Sequence, residues 1–238
     1  MTELTSFGDG TSDYEKYIHT QELYKLQKAP DQWVNEEELL FQVVHQAMEL
    51  WLKVCIQHLE QSITWMGAGK LHEATRFLRR TAEVLDFLAD SLNFPRSIAP
   101  WDYHQIRMGL GKGSGQESPT YKRIHKVVPR VLSAFNELIA KQGVTLDQLH
   151  AGREQHQELY DLMWAMAELD QELMHWKYRH FQLVKRIIGD AVMSLKGIPA
   201  SSLQSTAHEA QFPDIWAVIN RTTNSYNAKF RPEGGGAY

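Results

Sequence analysis

Apolar residues recur every three or four positions along most of the chain, a pattern that predicts amphipathic α-helices. One helix is predicted from Glu36 to Trp65, with the buried stripe Leu40, Val43, Val44, Ala47, Trp51, Val54 and Ile56. Another is predicted from Lys70 to Leu92, with the stripe Leu71, Ala74, Phe77, Leu78, Ala82, Leu85 and Leu88. The longest extends from about Arg153 to Val192, with the stripe Leu159, Met163, Met166, Leu173, Leu183, Val184 and Ile187.

A further helix is predicted to begin near Pro119, and Pro129 inside its pattern should kink it or move its start. Thr145 followed by Gln148 fits a capping box that opens a short helix. No segment has the alternation of a β-strand. The prediction is therefore an all-α helical bundle with long helices, in one domain over residues 13–230. Residues 1–12 are expected to be disordered and residues 231–238 to form a flexible tail.

Composition and charge narrow the class of protein. The 238 residues carry 25 basic and 29 acidic side chains, so no basic excess favours nucleic acid as a partner. No uninterrupted apolar run approaches the roughly 20 residues of a membrane span, and the polar, acidic segment Met1–Ser12 does not resemble a signal peptide. A lone Cys55 cannot form an internal disulfide. These features favour a cytoplasmic protein without a membrane partner.

Two local motifs are weak signals of chemistry. The glycine cluster Gly109–Gly115 lacks the spacing of a phosphate-binding loop, and a hinge or lid is the better interpretation. Glu172 and His175 form a single Glu-x-x-His motif, whereas a di-iron bundle needs that motif on two helices. Chance spacing on a charged helix is the simpler explanation of the second motif.

Two histidines and one arginine have two open interpretations each. His45 shares a helix face with Phe41 and Glu49, and it could be a hydrogen-bonded core residue or part of a site. His180 projects from an apolar stripe with no carboxylate on its face, which suits a haem iron ligand or a satisfied core histidine. Arg107, four residues after Tyr103, could clamp a carboxylate or lie exposed at a helix end.

Taken in order, five segments resemble the tryptophan 2,3-dioxygenase family of haem-dependent oxygenases over most of the chain. The segments are Tyr14-Glu-Lys-Tyr-Ile-His-Thr-Gln-Glu-Leu, Glu37-Glu-Leu-Leu-Phe-Gln-Val-Val-His-Gln-Ala-Met-Glu-Leu-Trp-Leu-Lys53, Asp102-Tyr-His-Gln-Ile-Arg107, Trp176-Lys-Tyr-Arg-His-Phe-Gln-Leu-Val-Lys-Arg-Ile-Ile-Gly189 and Phe212-Pro-Asp-Ile-Trp216. The second and fourth segments are highly specific. The resemblance implies haem b as the cofactor, dioxygen as a co-substrate and L-tryptophan or a substituted tryptophan as the substrate.

The resemblance also implies roles for particular residues. His180 would be the proximal haem iron ligand, and His45 would be the catalytic distal residue that hydrogen-bonds the indole N–H. The substrate would lie against Phe41, with its carboxylate held by Tyr103 and Arg107. A further set, Tyr14, Tyr17 and Ile18, would enter the pocket of a neighbouring subunit. The family's typical assembly is a homotetramer built as a dimer of dimers.

The expected reaction is insertion of dioxygen across the indole C2–C3 bond to give an N-formylkynurenine-type product. Residues 195–202 differ from the glycine- and threonine-rich loop that follows the proximal helix in the family. A monooxygenase that gives a hydroxylated or 2-oxindole product is therefore an alternative. A non-catalytic haem-binding or tryptophan-binding protein is an alternative from another class.

Overall fold

The computed structural model describes residues 8–111, 113, 117–192, 199 and 201–230. The helices in chain order are α1 (Asp13–Ile18), α2 (Thr20–Leu23), α3 (Glu38–Gly67), α4 (Leu71–Ser91), α5 (Asn93–Arg96), α6 (Pro100–Gly109), α7 (Pro119–Lys141), α8 (Leu146–Ala151), α9 (Gln157–Ile188), α10 (Ser202–Ala207) and α11 (Pro213–Phe230). The described ranges contain no β-strand, which confirms the all-α prediction. Disorder of residues 1–12 and 231–238 stays a prediction, because residues 1–7 and 231–238 lie outside the described ranges.

Four long helices build the core. Helix α4 packs along α9 and also against α3, and α3 packs against α7 on another side. Their inward faces bury large apolar side chains, among them Leu59, Leu85, Phe135 and Met163. Burying such side chains is the main favourable contribution to folding. The bundle holds α3 and α9 rigidly enough to position side chains near their ends.

The predicted stripe of α3 is only partly right. Val44 is buried and Leu40, Ala47, Val54 and Ile56 are half-buried, while Val43 and Trp51 are 44% and 40% exposed. The buried face instead contains Glu38, Phe41, Val44, Leu52, Cys55, Leu59, Ser62 and Met66. Apolar residues occur on nearly every face of this helix, so periodicity alone could not select the inward one. Phe41, expected on a face away from the core, lies on the buried face.

The other long helices follow their predicted stripes closely. Every member of the α4 stripe except Phe77 is buried, and the α9 stripe is buried except at Leu183 and Val184, which are half-buried. Helix α7 begins at Pro119 and continues through Pro129, so the interior proline does not move its start. The Thr145–Gln148 capping box is present at the start of α8. Strong contrast between apolar and charged faces made these helices predictable.

A buried carboxylate attaches the C-terminal helix to the bundle. Asp170, which is 0% exposed on α9, accepts hydrogen bonds from the backbone N–H groups of Gln211 and Phe212 and from Trp216 Nε1. The distances are 2.9, 3.0 and 2.9 Å respectively. These bonds satisfy a buried charge and fix the start of α11. The Phe212–Trp216 segment is therefore a structural attachment to α9.

Helix α3 is also long and apolar enough to cross a membrane, judged by length and composition only. In the bundle it packs against α4 and α7 along its length. A single helix of this kind is weak evidence of a membrane span, because core helices of globular proteins meet the same criterion.

Candidate active site

The first half of the site is a histidine fixed by its own helix. His45 Nδ1 lies 2.7 Å from the backbone carbonyl oxygen of Phe41, and the two rings are in contact at a centroid distance of 4.1 Å. A carbonyl oxygen can only accept, so Nδ1 carries the proton and donates it. In the neutral imidazole Nε2 is then an acceptor. The hydrogen bond thus orients a free lone pair away from the α3 backbone.

The protonation of His45 follows from its surroundings. Burial lowers the pKa of His45 below the ordinary value of 6.5, although the Phe41 carbonyl and the Glu49 carboxylate both act to raise it. The His45 side chain is nonetheless exposed to solvent in the single chain. Its lowered pKa makes it a neutral hydrogen-bond acceptor at neutral pH.

The second half of the site is His180 on α9. Burial, with a further contribution from nearby His45, lowers the pKa of His180 to about 4. The His180 ring stacks on Trp176 at a centroid distance of 6.1 Å and an interplanar angle of 20°. Trp176 in turn contacts Tyr121 of α7, with ring centroids 5.5 Å apart. Trp176 and Tyr121 thus form an aromatic support beside His180. Burial keeps the His180 imidazole neutral, and it lies near enough to His45 for the two rings to interact electrostatically.

Helix α6 adds a phenol and a guanidinium beside Phe41. The Tyr103 ring centroid lies 6.1 Å from that of Phe41, and both residues belong to a small apolar cluster with Leu40, Ile98 and Ile106. Burial raises the pKa of Tyr103, while the neighbouring Arg107 acts to lower it. Arg107 also lines a cavity of about 510 Å³ with Trp101, His104, Gln105, Met108 and Gly111. Four of the residues predicted for the site, Phe41, His45, Tyr103 and Arg107, therefore lie next to one another.

A polar network that the sequence analysis missed ties the segment before α3 to this region. Lys28 Nζ lies 2.6 Å from Glu38 Oε1, and the Val34 N–H donates to Glu38 Oε2 at 2.8 Å. Asn35 Nδ2 donates to Asp102 Oδ1 on α6 at 3.0 Å. The signal that could have revealed it is Glu38, a carboxylate one helical turn before Phe41 on the buried face of α3.

Three predicted substrate-binding residues are left uncovered by their own chain. Tyr14, Tyr17 and Ile18 are 70%, 84% and 43% exposed on α1, which buries none of its residues. Two other predicted features are only partly described. Outside the described ranges lie residues 112, 114 and 115 of the glycine cluster and residues 195–198 and 200 of the segment 195–202 after α9. The hinge prediction for the glycine cluster therefore stays a prediction.

His180 is a single potential metal ligand, which suits a metal whose other ligands come from a cofactor. Within the described ranges, His180 belongs to no group of three histidine, cysteine or carboxylate side chains able to hold an ion. A haem iron needs only one protein ligand, and a neutral imidazole can supply it. The indole N–H of Trp176 beside it is buried, and among the described residues it has no hydrogen-bond partner. The residues present therefore fit a haem that His180 would hold.

The fold and site define an all-α protein in which His180 lies near His45, and His45 lies against Phe41 beside Tyr103 and Arg107. The family model described as tryptophan 2,3-dioxygenase matches residues 2–134, which is more than half of the chain. The chain belongs to the tryptophan 2,3-dioxygenase family. It is accordingly an enzyme of the dioxygenase class of oxidoreductases.

Individual relatives support the same assignment at modest identity. The tryptophan 2,3-dioxygenase of Erythrobacter litoralis is 26% identical, over 76% of this chain and 88% of the relative. That of Shewanella woodyi is 24% identical, over 90% of this chain and 91% of the relative. That of Bacillus thuringiensis subsp. konkukian is 22% identical, over 86% of this chain and 91% of the relative. The similarity thus extends well beyond the segment matched by the family model.

Proposed function

We propose that this enzyme is haem-dependent and inserts both atoms of dioxygen across the indole C2–C3 bond of L-tryptophan or a close derivative. The product would be of the N-formylkynurenine type. The observation that carries the proposal is the contact of His45 with Phe41, whose ring centroids lie 4.1 Å apart, with neutral His180 of another helix near His45. One imidazole can serve the metal while the other serves the substrate.

His180 would hold haem b through its uncharged ring nitrogen. When bound, the haem iron supplies the coordination site at which dioxygen is activated. Burial keeps His180 neutral well below neutral pH, so a proton does not compete for the ligating lone pair. The Trp176 ring fixes the orientation of the imidazole plane by stacking on it. The unpartnered indole N–H of Trp176 is then available to a polar group of the cofactor.

His45 would bind the indole N–H of the substrate. Its Nδ1 proton is committed to the Phe41 carbonyl, so Nε2 can accept the indole proton in a hydrogen bond. Phe41 lies against His45 and would form the apolar wall of the indole pocket. Together they would fix the ring plane and exclude water from the reacting C2–C3 edge.

The amino acid carboxylate would bind Arg107 and the Tyr103 hydroxyl. The guanidinium can donate two parallel hydrogen bonds to a carboxylate. Burial keeps the Tyr103 phenol protonated, so its O–H is a further donor. Arg107 and Tyr103 would select amino acids over free indole. They would also fix the position of the indole ring relative to His45.

Exposed apolar side chains at the N-terminus support a homotetramer, a dimer of dimers, as the active assembly. Tyr14, Tyr17 and Ile18 are uncovered within one chain, and the cavity beside Arg107 has a rim of exposed Trp101 and Met108. We propose that α1 of one subunit covers the pocket of its neighbour in a cytoplasmic enzyme. Mixing Ile18→Asp subunits with Arg107→Ala subunits should restore activity in mixed assemblies, because some pockets then receive both intact parts.

Labelled dioxygen tests the reaction itself. The reduced, haem-loaded protein is incubated with L-tryptophan and ¹⁸O₂, and the product is analysed by mass spectrometry. Two labelled atoms are expected. One labelled atom would indicate the monooxygenase suggested by residues 195–202, and no oxygen consumption with any tryptophan analogue would indicate a binding protein.

A further inference from the structure

A row of polar contacts crosses the outer edge of the interface between α4 and α9. At one end Arg79 Nε lies 3.3 Å from Glu168 Oε2, and at the other Arg179 Nη2 lies 3.5 Å from Asp90 Oδ1. Each of these positions pairs a carboxylate with a guanidinium. The two ends of the row are therefore electrically neutral.

The middle of the row has a different composition. There, Asp86 of α4 approaches Glu172 and His175 of α9, with no arginine or lysine in an ion pair with either carboxylate within the described ranges. With two carboxylates and no paired arginine or lysine, this position is richer in negative charge than the two ends of the row, an excess of negative charge. A divalent cation would neutralise that excess.

The distances among the three side chains suit coordination. His175 Nδ1 lies 3.2 Å from Glu172 Oε2 and 4.0 Å from Asp86 Oδ1, and the three ligand atoms all lie within 4.8 Å of one another. Two ligands of a tetrahedral zinc ion, each about 2.1 Å from the metal, are separated by about 3.4 Å. The His175–Glu172 separation is close to this value; in the metal-free structure it is a hydrogen bond in which Nδ1 donates to the carboxylate, so a metal would replace that proton. Asp86 is exposed, with 60% of its side chain accessible.

We propose that Asp86, Glu172 and His175 form a binding site for a divalent transition metal of the zinc class, which links α4 to α9. One imidazole nitrogen with two carboxylates favours Zn²⁺ or Cu²⁺ over Mg²⁺, which prefers an all-oxygen shell. The Glu-x-x-His spacing places Glu172 and His175 on one face of α9, as i and i+3 residues lie. The remaining coordination positions face solvent and would be filled by water. The site lies on the helix that carries His180 but uses none of the proposed active-site residues.

Equilibrium dialysis of the haem-loaded, tag-free protein against Zn²⁺, followed by metal analysis, tests the proposal. One zinc per chain is expected in addition to the haem iron, with affinity reduced at least tenfold in His175→Ala and in Asp86→Asn. His72→Ala, which removes an exposed histidine elsewhere on α4, should bind zinc as the unmodified protein does. Zinc should also raise the Tm of the unmodified protein and of His72→Ala but not that of the two site variants.

Cu²⁺ provides an independent spectroscopic check. Its electron paramagnetic resonance signal should show coupling to a single nitrogen, which should disappear in His175→Ala. Asp86→Asn tests the site without altering α9, so misfolding of one variant does not decide the result. Absence of stoichiometric zinc in the unmodified protein would overturn the proposal. Equal zinc affinity in His175→Ala would also overturn it, because the metal would then be bound adventitiously.

Discussion

His45 Nδ1 donates to the carbonyl oxygen of Phe41 at 2.7 Å, and this bond fixes both the tautomer and the direction of the imidazole. His45→Ala should therefore lower kcat/KM for L-tryptophan by about tenfold, the value of one hydrogen bond near 1.4 kcal/mol. The same change should have little effect on N1-methyltryptophan, which has no indole proton to donate. Steady-state kinetics with both substrates measures the difference. An equal loss with both would show that His45 does not bind the indole N–H.

His180 is expected to be required for haem binding. His180→Ala should lose the Soret band, whereas His175→Ala, five residues earlier on α9, should retain it. Absorbance spectra of the purified proteins make this comparison, and far-ultraviolet circular dichroism checks that both variants keep their helices. Added imidazole should restore part of the Soret band in His180→Ala by replacing the missing ligand. A full Soret band in His180→Ala would assign the iron to another residue.

Arg107 is expected to recognise the substrate carboxylate. Arg107→Ala should keep its haem but raise KM for L-tryptophan on the order of 30-fold or more, since losing one partner of a desolvated charge pair costs about 2–5 kcal/mol. Tryptamine lacks the carboxylate, so its KM should change little. Arg123→Ala removes an arginine paired with Glu60 at the surface and serves as the control. Unchanged KM for L-tryptophan would contradict the assignment.

The predictability of each element depended on how sharply its faces differ. Helices α4 and α9 carry charged residues opposite their apolar stripes, so their buried faces followed from the sequence. Helix α3 is apolar nearly all round, and the predicted stripe was wrong at positions such as Val43 and Trp51 because only tertiary packing selects its inward face. The capping box of Thr145 and Gln148, which depends only on local sequence, was predicted correctly.

The arrangement of the site depends on contacts between residues far apart in the sequence, which hydrophobic periodicity does not predict. Spacing left His45 and His180 ambiguous, and the family resemblance gave them roles. Asp170 was missed, although a carboxylate between Leu169 and Leu173 on an apolar face is a recognisable signal of a buried polar network. Its partners, Gln211 to Trp216, lie more than forty positions away in the sequence, and no local rule pairs them with Asp170.

Asp170 should contribute strongly to stability. Asp170→Asn replaces one carboxylate oxygen by an amide NH2 group, which cannot accept a hydrogen bond, and it removes the negative charge near the buried Lys177. We therefore expect the free energy of unfolding to fall by about 3 kcal/mol. Urea unfolding followed by circular dichroism measures the change. Asp214→Asn, at an exposed carboxylate on α11, should stay within about 0.5 kcal/mol of the unmodified protein. Equal stability of the two variants would show that the Asp170 network is not a main attachment of α11.

Glu38 should make stability depend on pH in the acid range. Burial alone would raise the pKa of Glu38, but hydrogen bonds from Lys28 and the Val34 N–H, with the Lys28 charge, outweigh it and lower the pKa below the ordinary 4.5. A carboxylate whose pKa is lowered on folding stabilises the folded state above its unfolded pKa, and that contribution is lost as the pH falls through the folded value. Glu38→Gln should therefore lower the free energy of unfolding by about 1–3 kcal/mol near neutral pH. This stability difference from the unmodified protein should shrink below about pH 4.5. Urea unfolding curves at a series of pH values measure this difference in stability, and Glu36→Gln, at an exposed carboxylate, is the control. If the stability difference between Glu38→Gln and the unmodified protein stayed constant down to acid pH, the Lys28–Glu38 pair would not be its source.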